Sequence, residues 1–164
     1  LIELMPGLLE VNPDFKLYIA GGGPLKDELE SRIADLGLQE NVVLTGPLPQ
    51  NELHKHMLAS KMFVLNTAYE GLPHIVIEAM HFRLPIIATN IGGNPEVVQH
   101  GQTGLLVEYD VKKEIKNAVL DFYNNPDKAA QMAENAYSGL DKFSRETMVK
   151  NTAEFLKNFY DKKY

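Results

Sequence analysis

Short apolar runs alternate with helical patterns along the first two-thirds of this chain. The runs cover residues 16–20 (KLYIA), 42–44, 62–65 (MFVL), 84–88 (LPIIA) and 104–107. Between and after them, apolar residues recur at helical spacing over 25–36, 51–59, 72–82 and 95–99. Strands that alternate with helices close βαβ units, so the spacing predicts an α/β domain with a mostly parallel sheet. KLYIA, MFVL and LPIIA show little polar alternation, as expected of strands covered on both faces. From Val111 the strands stop. Residues 111–123, 127–137 and 145–160 read as three helices, broken at Asn125-Pro126 and at Ser138-Gly139. This is a helical carboxyl-terminal extension. Its last helix carries Met148, Phe155, Leu156, Phe159 and Tyr160, which are expected to pack on the sheet or on a neighbouring domain. At the other end, Leu1, Ile2, Leu4, Met5, Leu8 and Leu9 form a helical stripe with no cap before it. The expectation is a single domain over residues 1–164, cut from a longer chain at its amino end.

Composition narrows the chemistry. The 164 residues suit one domain, and 45% apolar with 23% charged is ordinary globular usage. Cysteine is absent, which removes thiolate metal sites, disulfides and a cysteine nucleophile, and fits a reducing compartment. The net charge of −6 disfavours a general nucleic-acid or anionic-membrane binder. No apolar run approaches the roughly 20 residues of a membrane span. The opening has no basic segment ahead of an apolar one, so it does not read as a signal peptide.

In parallel α/β sheets, ligands bind beyond the carboxyl ends of the strands. The loops there are Gly21-Gly22-Gly23-Pro24, residues 45–49 (TGPLP), 66–73 and 90–95. The dinucleotide fingerprint G-x-G-x-x-G fails, because Lys26 stands where its third glycine belongs, and no Gly-Lys-Ser/Thr follows a P-loop. Residues 66–83, NTAYEGLPHIVIEAMHFR, are more informative. Pro73 suits the first turn of a helix. Leu72, Ile75, Val76, Ile77, Ala79 and Met80 make that helix apolar nearly all round, and Glu78 is its single charged residue before Arg83. A carboxylate there needs a hydrogen-bonding partner or a ligand. Glu70 lies eight positions earlier, at the helix entrance. A helix start favours an anion. A nucleoside diphosphate could set its phosphates there, its ribose near Glu78 and an attached sugar near Glu70, since carboxylates accept from hydroxyls and repel phosphate. Equally, Glu70 could be a solvated loop residue and Glu78 a partner of Arg83 or of a backbone amide. The residues alone leave both open.

Glu70 and Glu78, with seven residues between them in YEGLPHIVIEAM, resemble the glutamate-pair motif of retaining glycosyltransferases of the GT-B fold, family 4 or group 1. KLYIAGGGP, NVVLTGPLPQNEL, MFVLNTAYEGLP and LPIIATNIGGNPEVVQHGQTGLLV are similar to further family motifs in the same order, from Leu1 to about Tyr123. The resemblance implies a Rossmann-like carboxyl-terminal domain that binds a nucleotide-activated sugar, with the acceptor held by a separate amino-terminal domain. It implies that Glu70 bonds donor-sugar hydroxyls as the catalytic glutamate. Glu78 would bond the ribose, backbone groups of Gly71, Leu72, Pro73 and His74 would line sugar and phosphate, and Gly46 and Leu48 would border the base. Gly92 and Gly93 would shape the cleft. The implied reaction is glycosyl transfer with retention, in the cytoplasm or peripheral to its membrane, in a setting such as polysaccharide biosynthesis. No cofactor and no metal is implied, and no Asp-x-Asp motif appears. The partners implied are a nucleotide-sugar donor and a sugar, lipid-linked or protein acceptor, with no nucleic acid, and with membrane contact only through the full-length protein.

The family pattern also carries an Arg and a Lys before the opening helix, for the diphosphate leaving group, and a strand near the centre of the sheet. Both would fall upstream of Leu1, so the chain as given is expected to bind donor weakly and turn over little. Arg83-Leu84 departs from the usual glycine before the strand's proline, and an Arg83–Glu78 bridge would count against the site. His54 and His56 are two apart on an expected surface helix, the wrong spacing for a shared metal. His74 is expected as a cap or a ligand contact, and His81 and His100 as structural or surface residues. Two alternatives stay open: a nucleotide-sugar 2-epimerase of the same architecture, and a noncatalytic partner module.

Overall fold

The computed structural model describes residues 1–163. A 3₁₀ turn, Ile2–Leu4, runs into α1, Met5–Leu9, and the two bury Ile2, Leu4, Met5 and Leu8. Then come β1 (Leu17–Ala20), α2 (Lys26–Asp35), β2 (Val42–Gly46), α3 (Gln50–Ala59), β3 (Phe63–Leu65), α4 (His74–His81), β4 (Ile86–Thr89), α5 (Asn94–Val97) and β5 (Leu105–Val107). Three helices close the order: α6 (Lys112–Asn124), α7 (Pro126–Ser138) and α8 (Arg145–Lys163). Every strand pair is parallel, as the βαβ alternation requires.

The strands form two sheets rather than one continuous sheet, β1-β2 and β3-β4-β5. A cavity of about 650 Å³ is lined by Ile19 of β1, by Asn66 just past β3, and by Leu1, Ile2, Leu29 and Arg32. One apolar core nevertheless spans both sheets. Leu17, Ile19, Val42, Leu44, Val64, Ile87, Leu105 and Val107 meet Ile2, Leu8, Ile33, Ile115 and Phe122 on one face. On the opposite face Phe63, Leu65, Ile86, Ala88 and Leu106 meet Met57, Val76, Met80, Val97 and Leu140. The period-two alternation of β4 explains the split, with Ile86 and Ala88 to one side and Ile87 to the other. All four β4 residues are buried, and each large one contributes about 1.5–3 kcal/mol by leaving water.

One expectation fails in the packing, and another is narrowed to a neighbouring domain. β1 is not covered on both faces, since Tyr18 is half exposed and its ring packs against His56 at a centroid distance of 5.3 Å. Only the Leu17 and Ile19 side of β1 joins a core. The apolar residues of α8 do not pack on the sheet either. Phe155, Leu156, Phe159 and Tyr160 are all exposed, and the helix touches mainly the 3₁₀ turn at Leu140–Phe143. Among the described residues no helix is long and apolar enough to cross a membrane.

Candidate functional site

Parallel pairing puts the carboxyl ends of the strands at one end of each sheet. At β1 and β2 the register brings Ala20 opposite Gly46. There the Gly21 amide donates to the Gly46 carbonyl at 3.0 Å. Gly46 has φ +68°, a conformation that glycine reaches without strain, and it turns the chain from β2 into Pro47 and the half-buried Leu48. The two positions expected to border a base therefore stand at the mouth of β2, ahead of α3.

At β3 and β4 the two following loops are tied together. The Thr89 hydroxyl, fully buried, donates to the Thr67 carbonyl at 2.9 Å. It accepts from the Thr67 amide at 3.4 Å and from the buried Asn94 side chain at 3.3 Å. Asn94 also donates to the Thr89 carbonyl at 2.9 Å. The Gly93 amide donates to the Glu70 carbonyl at 3.2 Å. Glycine is required in this loop on steric grounds. A Cβ on Gly92 would overlap the Glu70 carbonyl oxygen and lie 2.9 Å from its carbon. One on Gly93 would do the same to the Gly71 carbonyl. Gly92 also has φ +57°. The double-glycine loop thus lies directly against the Glu70-Gly71 backbone.

Glu70 is half buried, and its carboxylate has no hydrogen bond or ion pair among the described residues. Gly71, Leu72 and His74 are exposed and Pro73 is buried, so the lip of the site carries the Leu72 and His74 side chains beside the bare Gly71 backbone. The helix starts at His74 rather than Leu72. Glu78 therefore stands about 6 Å along the axis from the helix start, closer than a start at Leu72 would put it. Pro73 supplies the reason. Its carbonyl accepts from the Val76 and Ile77 amides at 2.9 and 3.2 Å, and the His74 amide closes a tight turn on the Leu72 carbonyl at 2.9 Å.

Glu78 does not pair with Arg83. Arg83 sits just past α4 at φ +52°, pairs with Glu134 at 2.7 Å and lies over the Tyr137 ring, which ties α4 to α7 and clears the site. The partner of Glu78 is His54, whose Nε2 lies 3.3 Å from Glu78 Oε2. Sequence spacing misses this contact, because it joins two helices 24 positions apart. His54 is half buried on a helix whose only buried residue is Met57. Among the described residues no group of three or more His, Cys, Asp or Glu side chains could hold a metal.

The family of glycosyl transferases group 1 matches residues 1–139. The chain belongs to that family. Its architecture is that of the family's carboxyl-terminal GT-B domain, the one that binds the nucleotide sugar. The chain is 34% identical over 164 residues to a GDP-mannose-dependent alpha-(1-6)-phosphatidylinositol monomannoside mannosyltransferase of Mycolicibacterium smegmatis, covering 95% of this chain and 43% of the relative. It is 30% identical to an alpha-D-kanosaminyltransferase of Streptomyces kanamyceticus, covering 82% of this chain and 35% of that one. The chain thus spans less than half the length of these curated relatives. Among solved structures, the Anabaena Alr3699/HepE protein in complex with UDP and glucose superposes with a TM-score of 0.82 at 26% identity, over 94% of this chain and 44% of that one. The carboxyl-terminal domain of the group 1 protein LpcC from Francisella tularensis gives 0.75 at 26% identity, over 84% and 73%.

Proposed function

We propose that the protein carrying this chain moves a hexose from a nucleoside-diphosphate donor to an acceptor hydroxyl, with retention at the anomeric carbon. The observation that carries the proposal is the Glu70 carboxylate. It is half buried, unpaired among the described residues, and fixed through its own backbone by Gly93 at the entrance to α4. A carboxylate held in that way is ready to accept from the hydroxyls of a sugar.

In this reading the base lies on Gly46 and Leu48 at the mouth of β2. The ribose hydroxyls donate to Glu78, and the diphosphate lies along Gly71–His74 at the positive end of α4. The donor sugar then reaches Glu70. The anomeric C–O bond to the diphosphate breaks, the acceptor oxygen takes its place on the same face, and the acceptor's proton leaves with the nucleoside diphosphate. The chain's own contribution is position and a fixed field, since groups that need not reorganise when charge develops supply much of a rate enhancement. The acceptor, whether sugar, lipid-linked or protein, is held by a second domain. The chain spans 43% of a curated relative's length, which leaves room for such a domain. The relatives named for GDP-mannose and solved with UDP support a nucleoside-diphosphate hexose as the donor class.

The test is transfer by the full-length protein with a labelled donor, followed by the anomeric configuration of the product. Glu70→Ala and Glu78→Ala should each abolish most transfer while the thermal unfolding midpoint holds. Wild-type turnover in both variants would overturn the assignment.

A further inference from the structure

His54, in the first half of α3, and Glu78, just past the middle of α4, face each other from two neighbouring helices. Each helix follows the carboxyl end of a strand, β2 and β3. Glu78 therefore lies between the loop assigned to the base and the loop assigned to the phosphates. A carboxylate accepts hydrogen bonds, so with the hydrogen on Nε2 the His54 ring donates to Glu78 Oε2 across 3.3 Å. Both side chains are about one-third exposed, so the pair borders solvent on one side and protein on the other. The His54 ring is held in turn by Phe82, with centroids 4.9 Å apart at 53°. The nearby cations are engaged elsewhere, Lys55 with Glu52 at 2.9 Å and Arg83 with Glu134 at 2.7 Å. Among the described residues, His54 is the side chain that donates to Glu78.

We propose that His54 is a positioning residue for the donor: it holds Glu78 Oε2 so that the carboxylate is pre-oriented to receive the ribose hydroxyls. The inference rests on the reading of Glu78 as the ribose acceptor. A free glutamate side chain loses rotamer freedom when a ligand fixes it, and a tether already in place removes part of that cost. A carboxylate has about four lone-pair sites, so one bond from His54 leaves room for both ribose hydroxyls. Phe82 fixes the ring, His54 fixes the carboxylate, and the carboxylate fixes the nucleoside.

The experiment measures nucleoside-diphosphate affinity in the full-length protein, using whichever of UDP, GDP or ADP binds best, beside its 2′,3′-dideoxy analogue. His54→Phe keeps the ring on Phe82 and removes the N–H, whereas His54→Gln keeps an N–H donor and removes the ring. A positioning hydrogen bond predicts about a fivefold loss in His54→Phe and recovery in His54→Gln, in line with the net worth of such a bond. It also predicts no loss for the dideoxy analogue, and no further loss when His54→Phe is added to Glu78→Gln. Wild-type affinity in His54→Phe with a loss in His54→Gln would show a packing role and overturn the proposal. Equal losses for the ribose and dideoxy ligands would do the same. If Glu78→Gln alone leaves affinity unchanged, the ribose assignment has failed, and the role of His54 falls with it.

Discussion

Gly93→Ala probes how Glu70 is held. A Cβ at this position would overlap the Gly71 carbonyl oxygen and lie 2.9 Å from the carbonyl carbon and 3.4 Å from Pro73 Cδ. Real Cβ contacts essentially never fall under 3.0 Å, so the Gly71 peptide must retreat by about 1 Å. That peptide has little freedom. The buried Pro73 stands two residues after it, and Glu70, whose carbonyl accepts from the Gly93 amide itself, comes just before it. The displacement is passed to the Glu70 side chain and to the backbone that borders the diphosphate. Overpacking of this kind costs about 1–3 kcal/mol of stability, which a domain of this size survives. A shift of about 1 Å in a positioned group can cost about 100-fold in turnover. The expected outcome is a folded variant with an unfolding midpoint lowered by a few degrees and a kcat/KM reduced about 100-fold. Gly23→Ala is the control for stability, because a Cβ there meets nothing within 4 Å. It should stay within about 0.5 kcal/mol of wild type. The assay is initial-rate transfer by the full-length protein with circular dichroism melts alongside. Near wild-type turnover in Gly93→Ala would refute the claim that the glycine loop positions Glu70.

Three further outcomes are expected. Thr89→Val keeps the shape of a fully buried residue but strips the hydroxyl that bonds the Thr67 backbone, so it should cost about 1–3 kcal/mol and weaken donor binding as loop 66–73 loosens, measured by chemical denaturation and titration. Arg83→Ala should lower the unfolding midpoint slightly through loss of the Glu134 pair and the Tyr137 stack, yet leave donor affinity unchanged, because Arg83 is engaged with Glu134 and not with Glu78. At the opening turn, hydrogen bonding from Arg32 holds the Glu3 carboxyl below its ordinary range. A lowered folded-state value stabilises above the unfolded carboxylate value and is lost as pH falls through the folded one. Glu3→Gln should therefore flatten the acid limb of the melting profile, and the gap to wild type should close in acid.

The parts of the fold set by local pattern were legible from residue types. The five apolar runs became the five parallel strands, and Pro73 marked the entry to α4 to within a residue. Gly92 and Gly93 could be read as a loop near the cleft. Their contact with the Glu70-Gly71 backbone depends on two loops from different strands meeting, which periodicity does not encode. His54 was illegible for the same reason, since its partner lies on the next helix and is chosen by how α3 and α4 pack. β1 misled because Tyr18 is apolar enough to pass for a buried residue, while its ring packs on His56 and stays half exposed. The apolar positions of α8 announced burial, and the described chain leaves them in solvent. Arg83 stood close enough in sequence to pair with Glu78, but its positive φ turns it toward Glu134.

The most direct measurement is ligand-observed NMR on this chain and on the full-length protein, with UDP, GDP and ADP and their common hexose conjugates, repeated for Glu78→Gln. The account predicts that one base binds and that Glu78→Gln weakens it several-fold, because the substitution removes the charge that the ribose hydroxyls meet. It also predicts that Glu70→Ala weakens the sugar conjugate more than the bare diphosphate. Full-length protein that binds none of these ligands, or binds them equally well in Glu78→Gln, would contradict the account.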